Sequence, residues 1–194
     1  MLRDLRVGER LPESLLRLPV DGQNLDGRTM GEQLRGRAVQ LVFLRHAGCI
    51  FCRETVAELR QAHEEVRDYP HVLFVAQGNL EQNRKFFEKA GWPEAPVVAD
   101  PGREVYRAFG VKKGTIRQLF GLSVWRAGRR ARKKGHRLGA IQGNPWIMPG
   151  IFLIFDGVLA WRHRFQHAGD HPDFECVPGD ELNPAAGGLS CLEG

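Results

Sequence analysis

No stretch of this 194-residue chain approaches the roughly 18–20 consecutive apolar residues that a membrane-spanning helix requires. The first ten residues, Met1 to Arg10, hold no apolar core of the kind a secretory leader carries, so a reducing, cytoplasmic setting is expected. Cysteine is scarce. Four residues are far too few for a disulfide scaffold, and in a reducing compartment a close cysteine pair points to redox or metal chemistry. Internal repeats are missing. Acidic side chains are missing from one region: Lys112 to Arg137 hold ten Lys/Arg and no Asp/Glu. That local +10, set against +5 for the whole chain, leaves −5 elsewhere. The basicity therefore belongs to one segment and is no whole-protein signature of nucleic-acid binding.

What is present is enough apolar residue, 42%, for one well-cored domain with decoration. That domain is expected over residues 1–177, with a basic insertion at about 112–147. Residues 178–194, rich in Gly, Pro and Ala, read as a flexible tail.

The most informative motif is Cys49-Ile-Phe-Cys52, placed where the apolar strand at 38–44 gives way to a predicted helix from about Phe51 to Val66. A cysteine at a helix N-terminus meets unpaired N–H groups and the positive end of the dipole. Both favour the thiolate, which is the reactive species. Two cysteines three positions apart can also close a disulfide within one turn. The plain alternative is a pair of small buried residues. A zinc site draws some support from the H-x-x-x-H spacing of His167 and His171, but these lie far downstream and the compact finger spacing is absent.

Around this motif, residues 7–30 read as an edge hairpin or loop. The stretch at 71–76 is a second apolar strand, and 80–90 a helix stopped by Gly91. A short strand at 96–99 and a short helix at 103–109 follow. Residues 150–155 and 158–163 form a hairpin about Asp156-Gly157. A βαβ half joined to an antiparallel half predicts an α/β fold.

The order of these pieces is that of a thioredoxin-like fold, and the chain resembles the peroxiredoxin-like AhpC/TSA family. The resemblance runs through Val7-Gly-Glu-Arg-Leu-Pro12, Leu41-Val-Phe-Leu-Arg-His46 with the C-x-x-C, and Val98 to Gly110. Gly143-Asn-Pro145, Gly150-Ile-Phe-Leu-Ile154 and Ala168-Gly-Asp-His-Pro172 continue it. It implies a three-layer α/β/α domain with a central mixed sheet and thiol redox chemistry on peroxides or disulfides. An external thiol reductant of thioredoxin or glutaredoxin type would close the cycle. No organic cofactor or metal is needed, no specific nucleic acid is expected, and a homodimer is left open.

The departures from the family pattern are informative. A typical peroxiredoxin site reads P-x-x-x-T-x-x-C. Aligned on Cys52, Cys49 stands in the Thr slot and Arg45 in the Pro slot. By that alignment Cys52 attacks and Cys49 resolves, whereas a thioredoxin-type reading reverses the roles. Arg45 and His46 are expected either as cations that lower a cysteine pKa or as ordinary polar residues at a strand end. Pro149, just before the strand at 150, stands where thioredoxin-like folds carry a cis-proline facing the cysteines. His163, His167, Asp170 and His171 either reach the site or cap a loop.

In the basic segment, Ile116, Leu119, Phe120, Val124 and Ala127 recur near helical spacing. They are expected to pack over the fold and leave the charge in water. A rival account makes the chain a non-catalytic binding or redox-sensing module that engages an anionic partner through this segment. Cys176 is read as buried or as a distal resolving thiol, and Cys191 as a tail cysteine able to form mixed disulfides.

Overall fold

The computed structural model describes residues 5–141 and 143–174. In chain order the elements are α1 (Glu13–Leu16), β1 (Asp21–Gln23), α2 (Met30–Gln33), β2 (Ala38–Phe43), α3 (Ile50–Glu65) and β3 (His71–Ala76). They continue with α4 (Leu80–Lys89), β4 (Val97–Ala99), α5 (Glu104–Ala108), α6 (Ile116–Phe120), α7 (Leu122–Lys133), β5 (Gly150–Phe155) and β6 (Val158–Arg162). The six strands form one mixed sheet in the order β1-β4-β3-β2-β5-β6. Parallel pairing joins β2 to β3 and β3 to β4, and the other ladders are antiparallel. Parallel neighbours need a crossover between them. α3 and α4 supply the two that this sheet requires.

Side chains that alternate along each central strand feed two cores. Val39, Leu41 and Phe43 of β2 pack with Leu73 and Val75 of β3 on one face, beneath Tyr106 and Phe109 and the N-terminal Leu11, Leu15 and Met30. Val42, Phe74, Val97 and Ile151 face the other way, against Val56, Leu59 and Ala62 of α3, Phe87 of α4 and Ala127 and Ala131 of α7. A sheet apolar on both faces must be covered on both. The result is the expected three-layer α/β/α fold.

Local signals explain several element ends. Thr29, Asn79 and Thr115 each accept a hydrogen bond from the backbone N–H three residues on. In return Glu32, Gln82 and Gln118 accept from the cap N–H, so each pair forms a capping box. Gly91, at φ +79°, ends α4 in the left-handed conformation. Asp100 receives the N–H groups of Glu104 and Tyr106 and so starts α5.

Three expectations change. Residues 7–30, expected as an edge hairpin or loop, also hold the short α1, and β1 is an edge strand paired with β4; residues 18–20 and 28–30 meet antiparallel through Val20 N–H to Arg28 O and Met30 N–H to Leu18 O, and α2 begins at Met30. The capping box at Thr29 was the signal for α2. Among the described residues no peptide bond is cis, so Pro149 is an ordinary trans proline. In the basic segment only Leu119 and Ala127 of the predicted apolar face are buried, Val124 is half-buried, and Ile116 and Phe120 stand in water. The break at Gly121, at ψ 171°, splits the expected run into α6 and α7 and rotates the two apolar faces apart. The segment leaves and rejoins the sheet at a neck, where Lys113 and Ile147 form an antiparallel bridge. Cys176, Cys191 and the tail lie outside the described residues.

Candidate functional site

Cys49 is the N-cap of α3, directly beyond the carboxyl end of β2. β2 lies between a parallel neighbour, β3, and an antiparallel one, β5. The connection after β2 thus leaves the sheet where pairing changes direction, and such ends of open α/β sheets are where ligands bind. The turn into the helix is closed by the Cys49 N–H donating to His46 O at 3.0 Å. Tyr106 fixes the strand end beneath it, its hydroxyl lying against Leu44 O and, at 2.8 Å, Val75 O.

Arg45 is buried and serves both sulfurs. Its backbone N–H donates to Cys52 Sγ at 3.2 Å, and its Nη1 reaches Cys49 Sγ at 3.5 Å. Nε donates to Ile147 O at 3.0 Å and Nη2 to Pro145 O at 2.5 Å, which ties the returning neck of the insertion to the site. Gln77 backs the arrangement: its amide donates to Arg45 O, and its carbonyl oxygen accepts the Asn144 N–H at 2.9 Å.

The two thiols are driven apart. Cys49 is lowered from an ordinary 9.0 to about 6. A hydrogen bond from the Cys52 thiol does most of this, overcoming burial, with help from Arg45 and the N–H groups of Cys52 and Phe51. Cys52 is pushed well up, first by burial and then because it donates that bond and faces the Cys49 charge. His46 is buried and lowered to about 4, by burial and then by Arg45, so it is a neutral ring near pH 7. Of the two residues, Arg45 is the one that brings a charge to the cysteines, and both are buried where a strand end facing solvent was the alternative.

Cys49 is only 2% exposed. The segment after α7 covers the neighbouring Gly48: Gly139 N–H donates to Gly48 O at 3.0 Å, and a Cβ added to Gly48 would fall 2.3 Å from Ala140 O. Beside Cys52 is a cavity of about 10 Å³, lined among others by Thr55, Pro149, Phe165, Asp170 and His171. It is at the lower limit for one water. Pro149, in trans, shares this cavity with Cys52.

Of the histidine cluster, His171 and Asp170 reach this cavity, His163 Nε2 lies 3.4 Å from Asp170 Oδ2, and His167 caps a loop by accepting the Gly169 N–H. His171 also approaches Glu54 and Glu58. These three could have been a metal triad. Arg130 and Lys134 already hold them: Arg130 pairs with both Glu54 oxygens at 2.9 and 3.0 Å, and Lys134 reaches Glu58. With two cations in the cluster, the donor set does not suit a metal ion. The H-x-x-x-H spacing falls in a non-helical loop, so it does not align His167 and His171 on one face. Glu54, Gln77 and Tyr106 are site-supporting residues that the motif reading missed. A carboxylate two positions past the C-x-x-C, in the half of α3 where Ile50, Phe51, Cys52 and Val56 are buried, was the signal for Glu54.

A mixed sheet with a C-x-x-C at the head of the first long helix defines a thioredoxin-like α/β protein. The profile of the AhpC/TSA antioxidant enzymes matches residues 58–167, more than half of the chain, beginning just past Cys52. The chain belongs to that family. It is 28% identical to mouse (Mus musculus) peroxiredoxin-like 2C over 187 residues, which covers 88% of this chain and 80% of the relative. It is also 28% identical to the prostamide/prostaglandin F synthase of Salmo salar over 144 residues, 71% of this chain and 70% of that one. Among solved structures, peroxiredoxin 5 from Alvinella pompejana superposes with a TM-score of 0.56 at 15% identity. That match covers 84% of this chain and 92% of the other, a likeness of fold. No helix among the described residues is long and apolar enough to cross a membrane.

Proposed function

We propose that this protein is a thiol-dependent oxidoreductase in which Cys49 attacks a peroxide or a disulfide and Cys52 resolves the product. The observation that carries the reading is the contrast between the sulfurs. Cys49 caps the helix with Arg45 Nη1 3.5 Å from its sulfur and is lowered to about 6, while burial and the neighbouring Cys49 push Cys52 well up. At pH 7 that makes Cys49 the thiolate.

With a hydroperoxide, the Cys49 thiolate attacks the terminal oxygen. The O–O bond breaks, and its electron pair leaves with the alkoxide, which takes a proton from water to become the alcohol. The sulfur is oxidised to a sulfenic acid. The Cys52 sulfur then attacks it, the S–S bond forms, and hydroxide leaves with the Cys52 proton as water. With a disulfide substrate, Cys49 displaces one thiolate to give a mixed disulfide, which Cys52 resolves by expelling the other. In either case a dithiol of thioredoxin or glutaredoxin type returns two electrons and two protons. A reducing compartment such as the cytoplasm would keep the pair ready. Membership of the AhpC/TSA family supports the peroxide, whereas the missing Thr and Pro of the usual peroxiredoxin site support the disulfide.

The test is turnover. The reduced protein, with a thioredoxin system as donor, is given hydrogen peroxide, an organic hydroperoxide or a small disulfide. The account expects saturable consumption of at least one substrate and one Cys49–Cys52 disulfide per molecule when the donor is left out. Rates equal to those of a free thiol for all three would reject it in favour of the non-catalytic module.

A further inference from the structure

Among the described residues, the large apolar side chains left most exposed are gathered in the 112–147 segment. Leu122 is 81% exposed, Ile116 72%, Trp125 71% and Phe120 64%. They sit in α6 and at the head of α7 and do not line the cysteine site. Four large apolar side chains exposed within ten residues are uncommon on a protein that stays free in water and mark a contact surface. Here it is joined to charge. Along α7, Leu122, Arg126, Arg129 and Lys133 fall at helical spacing on the outward face, while Ala127 and Ala131 are buried on the opposite one. Of the ten Lys/Arg between 112 and 137, Arg130 and Lys134 are tied to Glu54 and Glu58. The other eight make no ion pair with a carboxylate among the described residues.

From this we infer that the outward face of α6 and α7 docks on an anionic lipid surface, lying in the headgroup layer without crossing it. Charge complementarity selects the partner: a face with no acidic residue is drawn to anionic headgroups, and each Lys/Arg near such a surface strengthens partitioning by about fivefold. The apolar end selects lipid over other polyanions. Trp and Phe beside Arg suit the headgroup boundary, where the rings insert and the guanidinium groups meet phosphates. Nucleic acid or an acidic protein would satisfy the charge and leave Leu122 and Ile116 in water. The inference is independent of the thiol chemistry.

The full-length protein is sedimented with vesicles of phosphatidylcholine alone and with vesicles holding about 30 mol% phosphatidylglycerol. The account expects binding to the second only, weakened by added salt. Arg126→Glu with Arg129→Glu should weaken it at least tenfold, and so should Leu122→Ala with Trp125→Ala. All four positions are at the surface, so circular dichroism of both variants should match the wild type. Two results would overturn the inference. One is failure of the wild type to bind anionic vesicles. The other is binding that the charge reversal abolishes and the Leu122/Trp125 truncation leaves intact, with equal binding to heparin or polyglutamate, which would make the face a general polyanion site.

Discussion

Arg45 meets Cys49 with its side chain, Nη1 to Sγ at 3.5 Å, and Cys52 with its main chain, N–H to Sγ at 3.2 Å. One residue thus holds the charge on the first sulfur and the position of the second. The larger effect on Cys49, however, is the Cys52 hydrogen bond. Both Arg45→Ala and Cys52→Ala should raise the Cys49 pKa from about 6, and Cys52→Ala should raise it more. A thiol at pKa 6 is roughly nine-tenths thiolate at pH 7, and one near 9 only about a hundredth. Alkylation by iodoacetamide at pH 7 should therefore slow at least several-fold in each variant, the loss being softened because a more basic thiolate is a better nucleophile. The pH profile of alkylation checks both the direction and the order.

His46 should behave differently. With its ring buried and its pKa lowered to about 4, it holds no charge at neutral pH. His46→Gln should leave the midpoint of the Cys49 titration unchanged. A rise matching that of Arg45→Ala would show that the ring is charged after all.

Gly48 is where a side chain should open the site. A Cβ there would meet Ala140 O at 2.3 Å and Gly139 O at 2.5 Å, closer than packed atoms tolerate, and both belong to the segment that covers Gly48, next to Cys49 in the chain. Gly48→Ala should push the 138–140 segment outward. Alkylation of Cys49 by a bulky maleimide should then accelerate more than alkylation by iodoacetamide. Equal acceleration would mean that the cover does not limit access.

The Glu54 cluster ties α7 to α3. Burial opposes the Glu54 carboxylate, but His171, 3.7 Å away, and Arg130, which donates to both its oxygens, outweigh it and hold the pKa down to about 2. A lowered carboxylate gives stability that is complete above its unfolded value of 4.5 and disappears as pH falls towards 2. His171 works in the other sense. Burial opposes its charge, Glu54 and Glu58 prevail, and its raised pKa gives stability that is complete below 6.5 and lost as pH climbs through the folded value. The tie is strongest between the two. Glu54→Gln, which strands Arg130, should cost about 2 kcal/mol or more near pH 5.5 by urea unfolding and much less at pH 3.

Much of this was legible in the sequence. Strands at 38–44, 71–76 and 150–155 announce themselves as continuous apolar runs, because a strand covered on both faces needs no polar alternation. The C-x-x-C is visible because its spacing fits one helical turn. α1 and α2 escaped since four residues show no period, and only the Thr29/Glu32 pair marked the second of them. The direction of the cysteine chemistry was not readable, since it depends on which thiol donates to the other and on a guanidinium whose reach is set by Pro145 and Ile147, a hundred residues away. Ile116 and Phe120 were misjudged because a helical apolar stripe ordinarily faces a core. Here the chain breaks at Gly121, and of the stripe Leu119 and Ala127 face in while Ile116 and Phe120 face out.

The assignment of Cys49 as the attacking sulfur is tested most directly by locating the first oxidised atom. Cys49→Ser and Cys52→Ser are each mixed with hydroperoxide in stopped flow, trapped with a sulfenic-acid reagent and mapped by mass spectrometry; a small disulfide is run in parallel. The account predicts adducts at Cys49 in the Cys52→Ser protein, formed at a rate near that of the wild type, and loss of the fast reaction in Cys49→Ser. Fast oxidation at Cys52 in the Cys49→Ser protein would contradict it and make Cys52 the nucleophile.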